Sequence, residues 1–206
     1  MQSRGCVKLN YDQLFEDDFS SLQTEKVLGS EEAHLRRTAK AFSLVRDLRF
    51  QTALDIGCAD GFFTNKLSKI TDVVYGIDVS KTAIEHARIN YPGPFFRVGN
   101  LIEIPHGDSL FDLVSCLDVI YYLGDMDRRM AVEEIVRVLK PNGHLLVSTS
   151  WPRRTKTRTG TSYMNDRELL QILSGHFMLL KEATTSTLLN LGFMRSGVVM
   201  LLRKEL

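Results

Sequence analysis

The chain has 206 residues, 44% of them hydrophobic and 25% charged, with 26 Lys+Arg against 25 Asp+Glu for a formal net charge of +1. That length suits one domain, or one domain with a small appendage, and the composition excludes a disordered or fibrous chain. The neutral balance excludes a global field that would gather nucleic acid or an anionic membrane surface.

The opening residues Met1–Lys8 lack the apolar run of a secretory signal, and no stretch approaches the ~18 apolar residues of a membrane span. Cys6, Cys58 and Cys116 are odd in number and far apart. They read as free thiols in a reducing compartment, and the expected location is cytoplasmic. No CxxC or HxxH pair points to a metal.

Residues 1–30 mix aromatics with acids, among them Tyr11, Phe15, Glu16, Asp17 and Phe19, and read as an N-terminal lid segment. The domain proper is expected over 31–206. Ser30 followed by Glu31 and Glu32 has the form of a helix N-cap. Leu35, Ala39, Phe42, Val45 and Leu48 recur at helical spacing, which predicts an amphipathic helix over about 31–48. Thr52–Gly57 is an apolar strand ending in glycine, and Phe62–Lys69 is helical. Val73–Asp78 is a second strand that stops at an acid. Ser80 caps a helix to about Asn90. Phe95–Val98 is a third strand and Leu110–Leu117 a fourth. Met126–Leu139 is a helix stopped by Pro141-Asn-Gly143, and His144–Thr149 is a fifth strand. A helix near Asp166–Ser174 and two strands, His176–Glu182 and Val198–Arg203, close the chain. Strands alternating with helices imply right-handed crossovers and a parallel sheet covered on both faces. The last two strands are close enough for a hairpin, with one antiparallel to the rest. The expected class is α/β: a Rossmann-like, seven-stranded, mostly parallel sheet with helices on both faces.

The chemistry concentrates in Ala53-Leu-Asp-Ile-Gly-Cys-Ala-Asp-Gly61, which sets Asp55, Gly57, Ala59 and Gly61 at alternate positions on a strand-to-helix turn. Glycine admits a ligand close to the backbone, and a helix N-terminus offers unpaired N–H groups. A dinucleotide site would want GxGxxG. In that frame the third position is Phe62, and the carboxylate of Asp55 would repel a pyrophosphate. Asp55 fits a ligand whose nearby end is cationic. Asp78 lies 21 residues beyond Gly57, at a strand end where a carboxylate can accept from both hydroxyls of a ribose.

In these residues the chain resembles the class I S-adenosylmethionine-dependent methyltransferases. Asp55-Ile-Gly57-Cys-Ala59-Asp-Gly61 matches their (D/E)xGxGxG motif with alanine at the middle glycine. Phe111-Asp-Leu-Val, an apolar strand, and a helix running into Leu139-Lys-Pro-Asn-Gly-His-Leu are typical of the same family. The likeness covers about 50–150. Asp118-Val-Ile-Tyr121-Tyr122-Leu resembles the rhizobial nodulation N-methyltransferases, which act on glucosamine oligosaccharides.

The resemblance implies S-adenosyl-L-methionine as cofactor, its amino-acid end wrapped by Asp55, Gly57, Cys58, Ala59 and Gly61. It places the ribose on Asp78 and the adenine near Asn100, with Val79, Leu101 and Leu117 as further cofactor-binding residues. The family usually has aspartate where Asn100 stands. It also implies a lid tyrosine over the cofactor, for which Tyr11 is the candidate.

Asp118 leads the expected catalytic set, as a proton acceptor or ammonium holder, or as a helix cap. Tyr121 and Tyr122 join it, flanking the methyl donor or the acceptor. Many relatives carry histidine at one of these two positions, and none of His34, His86, His106, His144 and His176 falls in a matching motif. The missing histidine base tilts the expectation from O- toward N-methylation. The expected acceptor is a small molecule, an anion or an amino sugar. The (N/D/S)PP(Y/F) grip of DNA amino-methyltransferases is missing, so nucleic acid is disfavoured. Arg153, Arg154, Lys156 and Arg158 form a basic cluster that reads either as a solvated loop or as a lid for an anionic acceptor. The rival readings are a nicotinamide-dependent oxidoreductase and a non-catalytic methyltransferase-like partner subunit.

Overall fold

The structure, a computed structural model, describes residues 28–151, 164–188 and 194–205. The expected lid with Tyr11, and the basic cluster at 153–158, lie outside the described residues.

The elements follow in chain order: α1 (Leu28–Val45), β1 (Phe50–Ile56), α2 (Phe62–Leu67), β2 (Thr71–Asp78), α3 (Lys81–Asn90), β3 (Phe95–Val98) and β4 (Phe111–Cys116). After a short 3₁₀ turn (Ile120–Tyr122) come α4 (Asp125–Val138), β5 (Leu139–Trp151), α5 (Asp166–Leu173), β6 (Phe177–Leu188) and β7 (Met194–Lys204). The seven strands form one sheet in the order β3-β2-β1-β4-β5-β7-β6. The β1–β2, β1–β4, β2–β3 and β4–β5 pairs are parallel, and β7 runs antiparallel to both its neighbours. The expected seven-stranded, mostly parallel sheet with an antiparallel last strand is what the chain builds.

Side chains alternate across each strand, so each face of the sheet buries its own set. Leu54 and Ile56 of β1, Val114 and Cys116 of β4, and Leu145 and Val147 of β5 pack with Ala131, Val132 and Ile135 of α4 and Leu169 and Leu173 of α5. On the opposite face Ala53, Leu113 and Leu146 pack with Ala41 and Val45 of α1 and Phe63 and Leu67 of α2. A third cluster of Cys58, Ile84, Ala87 and Phe96 ties the turn after β1 to α3 and β3.

Two boundaries depart from the sequence reading. α1 begins at Leu28, so Ser30 lies inside the helix instead of capping it. Pro141-Asn-Gly143 does not simply separate α4 from β5. The strand starts at Leu139, opposite Phe111, and the register shifts between that pair and Leu113–His144. The kink is a bulge with Asn142 at φ 62, a left-handed value that asparagine tolerates well.

Candidate functional site

β1, β2 and β4 end together, and their carboxyl edge carries the three segments singled out in the sequence. Parallel α/β sheets bind ligands outside this edge.

The turn after β1 is built from left-handed residues: Gly57 at φ 70, Ala59 at φ 47 and Gly61 at φ 87. Ala59 carries a Cβ in a region that disfavours one by roughly 1–2 kcal/mol. Its N–H donates to Asp78 Oδ2 at 3.1 Å, and Gly57 N and Cys58 N both donate to Ile77 O. The turn is thus fastened to the end of β2. Gly61 is needed for packing: a Cβ there would lie 2.8 Å from the Phe96 ring and 3.0 Å from Tyr91. Gly57 is needed for a different contact, since a Cβ would overlap the Val119 side chain from the turn after β4. The family reading gives both glycines to the cofactor, and the structure adds this packing role. Asp60 Oδ1 accepts from Phe62 N, an Asx turn that opens α2.

Asp55 lies beneath this turn, 3% exposed. Its Oδ2 accepts from Thr64 Oγ1 of α2 and its Oδ1 from Ser115 Oγ of β4, each at 2.6 Å. Burial is the largest influence and lifts the carboxyl from 3.8 to about 6, with the two hydroxyls pulling the other way. Both oxygens are therefore already engaged inside the protein, and one lone pair on each is left for a ligand. Burial likewise pushes the Cys116 thiol up to about 12 and Cys58 higher still, so both are inert thiols.

Asp78 ends β2. Besides Ala59 N, its carboxylate accepts from Ser80 N at 2.9 Å, and Ser80 caps α3 through Ala83 N. Val79 beside it is 36% exposed, an apolar surface at the rim. Asn100 is exposed, and its Oδ1 accepts from Ile102 N at 3.1 Å, while Leu101 is buried in the core. The segment carrying both is pinned from α4, where Arg137 donates to Ile104 O and His106 O and Glu134 accepts from Ile104 N.

Asp118 follows β4 and Leu117, which is half-buried on the α1 side of the sheet. Asp118 stands at φ 61, and it does not cap the 3₁₀ turn, whose cap is Val119 with no side-chain bond. Its carboxylate instead faces two other partners. Ser148 Oγ of β5 donates to Oδ1 at 3.0 Å and accepts from Asp118 N at 3.0 Å. Arg37 of α1 meets Oδ2 through its Nε in an ion pair. The two side chains of the ion pair are 20% and 19% exposed. Tyr121 is buried, its ring 4.7 Å from that of Tyr122. Burial first, and then the charge of Asp118, push the Tyr121 phenol well above its ordinary range, so it can serve as a donor and not as a base. Tyr122 is half-buried.

Sequence reasoning missed Arg37, Ser148, Thr64, Ser115 and Val119. Two of them left a signal: Ser115 and Ser148 are polar residues inside otherwise apolar strands, and both are fully buried.

The residues present suit a nucleoside-bearing cofactor. Asp78 can accept from a diol while fixed to the turn, and apolar Val79 adjoins it. The sheet order and the edge that carries these groups define the class I methyltransferase fold. Residues 54–147 match the family model of a methyltransferase domain. The chain is 39% identical over 101 residues to Nodulation protein S of Rhizobium tropici, covering 48% of this chain and 42% of that protein. It is 33% identical over 129 residues to a probable S-adenosylmethionine-dependent methyltransferase of Mycolicibacterium smegmatis, covering 58% and 49%. The chain thus spans less than half the length of these two relatives. Among solved structures it superposes on the N-methyltransferase NodS of Bradyrhizobium japonicum in complex with S-adenosyl-L-homocysteine. The TM-score is 0.76 at 22% identity, over 95% of this chain and 99% of that one. No helix among the described residues is long and apolar enough to cross a membrane.

Proposed function

We propose that this protein transfers the methyl group of S-adenosylmethionine to a small-molecule acceptor, and that the acceptor atom is an amine nitrogen. The observation that carries the cofactor half is the bond from Ala59 N to Asp78: the left-handed turn and the diol-accepting carboxylate are one unit at the edge of the sheet. When bound, the cofactor supplies the electrophilic methyl, carried on a sulfonium. The turn of Gly57–Gly61 holds its amino-acid end and Asp78 its ribose. Asn100, Leu101 and Val79 border the adenine, with Tyr11 and Leu117 as further cofactor contacts.

The acceptor half rests on Asp118. Its carboxylate already holds one cation, the Arg37 guanidinium, and so has the charge and exposure to hold an acceptor's ammonium. Once the amine is oriented toward the methyl, the same carboxylate can take its proton. Tyr121 donates to acceptor or carboxylate, and Tyr122 lies beside it. Two of the five histidines, His106 and His144, are held in aromatic packing against Tyr75, Phe111 and Phe50, and burial pulls both below the ordinary imidazole range. An amino sugar is the favoured acceptor class, supported by the likeness to Nodulation protein S. An anionic acceptor would instead rely on the 153–158 cluster.

The test is two-part. Calorimetry should detect S-adenosylhomocysteine binding and none for NAD. A panel of amines, each paired with its N-acetylated or hydroxyl analogue, should gain one methylene mass only on the amine. Methylation of the hydroxyl members alone would replace the nitrogen reading with O-transfer.

A further inference from the structure

We infer that Arg37 is an exchangeable counter-ion: in the absence of acceptor its guanidinium occupies the place that the acceptor's ammonium takes on Asp118. The inference rests on the amine reading above and adds a residue and a device to it.

Asp118 has two kinds of partner, and they differ in what their loss would do. Ser148 is fully buried on β5. It is bonded twice to the same residue, donating to the carboxylate and accepting from the backbone N–H. Removing Asp118 from Ser148 would strand a buried hydroxyl and a backbone donor, which is costly. Together with the left-handed backbone at φ 61, this clasp sets the carboxylate's direction without help from α1. Among the described residues Arg37 makes one ion pair, to Asp118, reaching in from α1; its side chain is 20% exposed, with Nε turned inward and away from solvent. The long, partly exposed stem lets the guanidinium swing out to water while the backbone stays. The carboxylate is therefore fixed and its counter-ion replaceable. The place that Arg37 fills is one for a cation, at the carboxyl edge of β4.

The exchange balances in charge and protons. The acceptor arrives as R–NH3⁺ and Arg37 leaves Asp118 for solvent. The ammonium gives one proton to Asp118, and the resulting R–NH2 forms an N–C bond as the C–S bond of the sulfonium breaks. The products are R–NH2⁺–CH3 and the neutral thioether. Asp118 then loses its proton to water, and Arg37 can return.

Three variants test this: Arg37→Gln, Arg37→Lys and Ser148→Ala, assayed by steady-state kinetics on the amine panel, which includes glucosamine oligomers, and by thermal denaturation. Removing the competitor in Arg37→Gln is expected to lower the amine's KM by about two- to fivefold, the scale of a partly exposed ion pair. The same variant is expected to melt lower than wild type. Arg37→Lys keeps a competing cation and is expected to stay near the wild-type KM. Ser148→Ala loosens the carboxylate and is expected to lower kcat. A merely structural Arg37 would lower the melting temperature and leave KM where it was, and that result overturns the exchange. So does a KM that rises in Arg37→Gln, which would make Arg37 an acceptor-binding residue. In both cases amine methylation itself persists, so the amine reading survives. If no amine in the panel is methylated, the exchange and the amine reading fall together.

Discussion

Two turns leave adjacent parallel strands at the same edge of the sheet, and each has a carboxylate. After β1, Asp55 is sunk beneath its turn and bonded to the hydroxyls of Thr64 and Ser115. After β4, Asp118 is presented above the edge, fixed by Ser148 and balanced by Arg37. The first turn gets its shape from backbone: three left-handed residues and N–H bonds to Ile77 and Asp78. The second gets its shape from side chains on other elements. The difference is between a turn held by its own backbone and one held by side chains from other elements, and on it rests the proposal of cofactor grip for the first and acceptor chemistry for the second.

The sharpest way to break this contrast is at the contact between the turns. Gly57→Val is expected to cost about 3 kcal/mol or more, because it combines φ 70 with overlap on Val119. Chemical denaturation measures it. Adding Val119→Ala to the milder Gly57→Ala should recover part of the loss. No recovery would leave the backbone angle as the whole cause. Next in size is Asp118→Asn, which keeps the Ser148 bond and removes the charge. Turnover is expected to fall ~10²-fold with S-adenosylhomocysteine affinity little changed. A turnover within threefold of wild type would leave this carboxylate a structural tie.

Asp78→Asn is a milder test of the cofactor turn than an alanine, since its one amide oxygen can still accept from Ala59 N or Ser80 N, though not from both. S-adenosylhomocysteine binding is expected to weaken by about tenfold, the loss of one charge-assisted bond. The smallest effect is at Asp55, and it depends on pH. Burial raises its folded value to about 6 from 3.8, so the proton favours the folded state. That stabilisation is full below about pH 4, fades as pH climbs to 6, and is absent above. Asp55→Asn is therefore expected to be the more stable protein at pH 7.5, by about 1 kcal/mol, with the advantage vanishing toward pH 4. Thermal melts at the two pH values compare them directly. A simultaneous large loss of cofactor affinity would move Asp55 from a tie to a ligand.

Much of the layout was legible in the sequence because period and punctuation agree there. β3 falls where Phe95–Val98 predicts it, and α3 begins at the Ser80 cap, because Pro92-Gly-Pro94 and the cap mark their ends unambiguously. The bulge at Pro141–Gly143 was hidden because proline and glycine signal a helix stop equally well. The partners of Asp118 were hidden for another reason. Arg37 is 81 residues away in the chain, on a helix face also bearing Arg36 and Lys40, and no local pattern says which cation turns inward. Around Gly57 the sequence points to ligand approach alone, since nothing near it announces that Val119 lies against it. Contacts between loops at one sheet edge depend on strand order, which local periodicity does not encode.

Strand order also constrains how the molecule assembles. β7 lies between β5 and β6, bonded to both, and among the described residues β6 pairs with no other strand. β6 thus has no place to attach until β7 exists beside it. The two are joined by a short connection, so their mutual pairing closes a small loop, whereas β7 reaches β5 only across the α5 excursion. Local closure is the faster event. The pair would form first and dock as a preassembled ribbon, with β7's free edge finding β5. A lesion in β7 would then remove two strands from the sheet, and one in β6 only its rim.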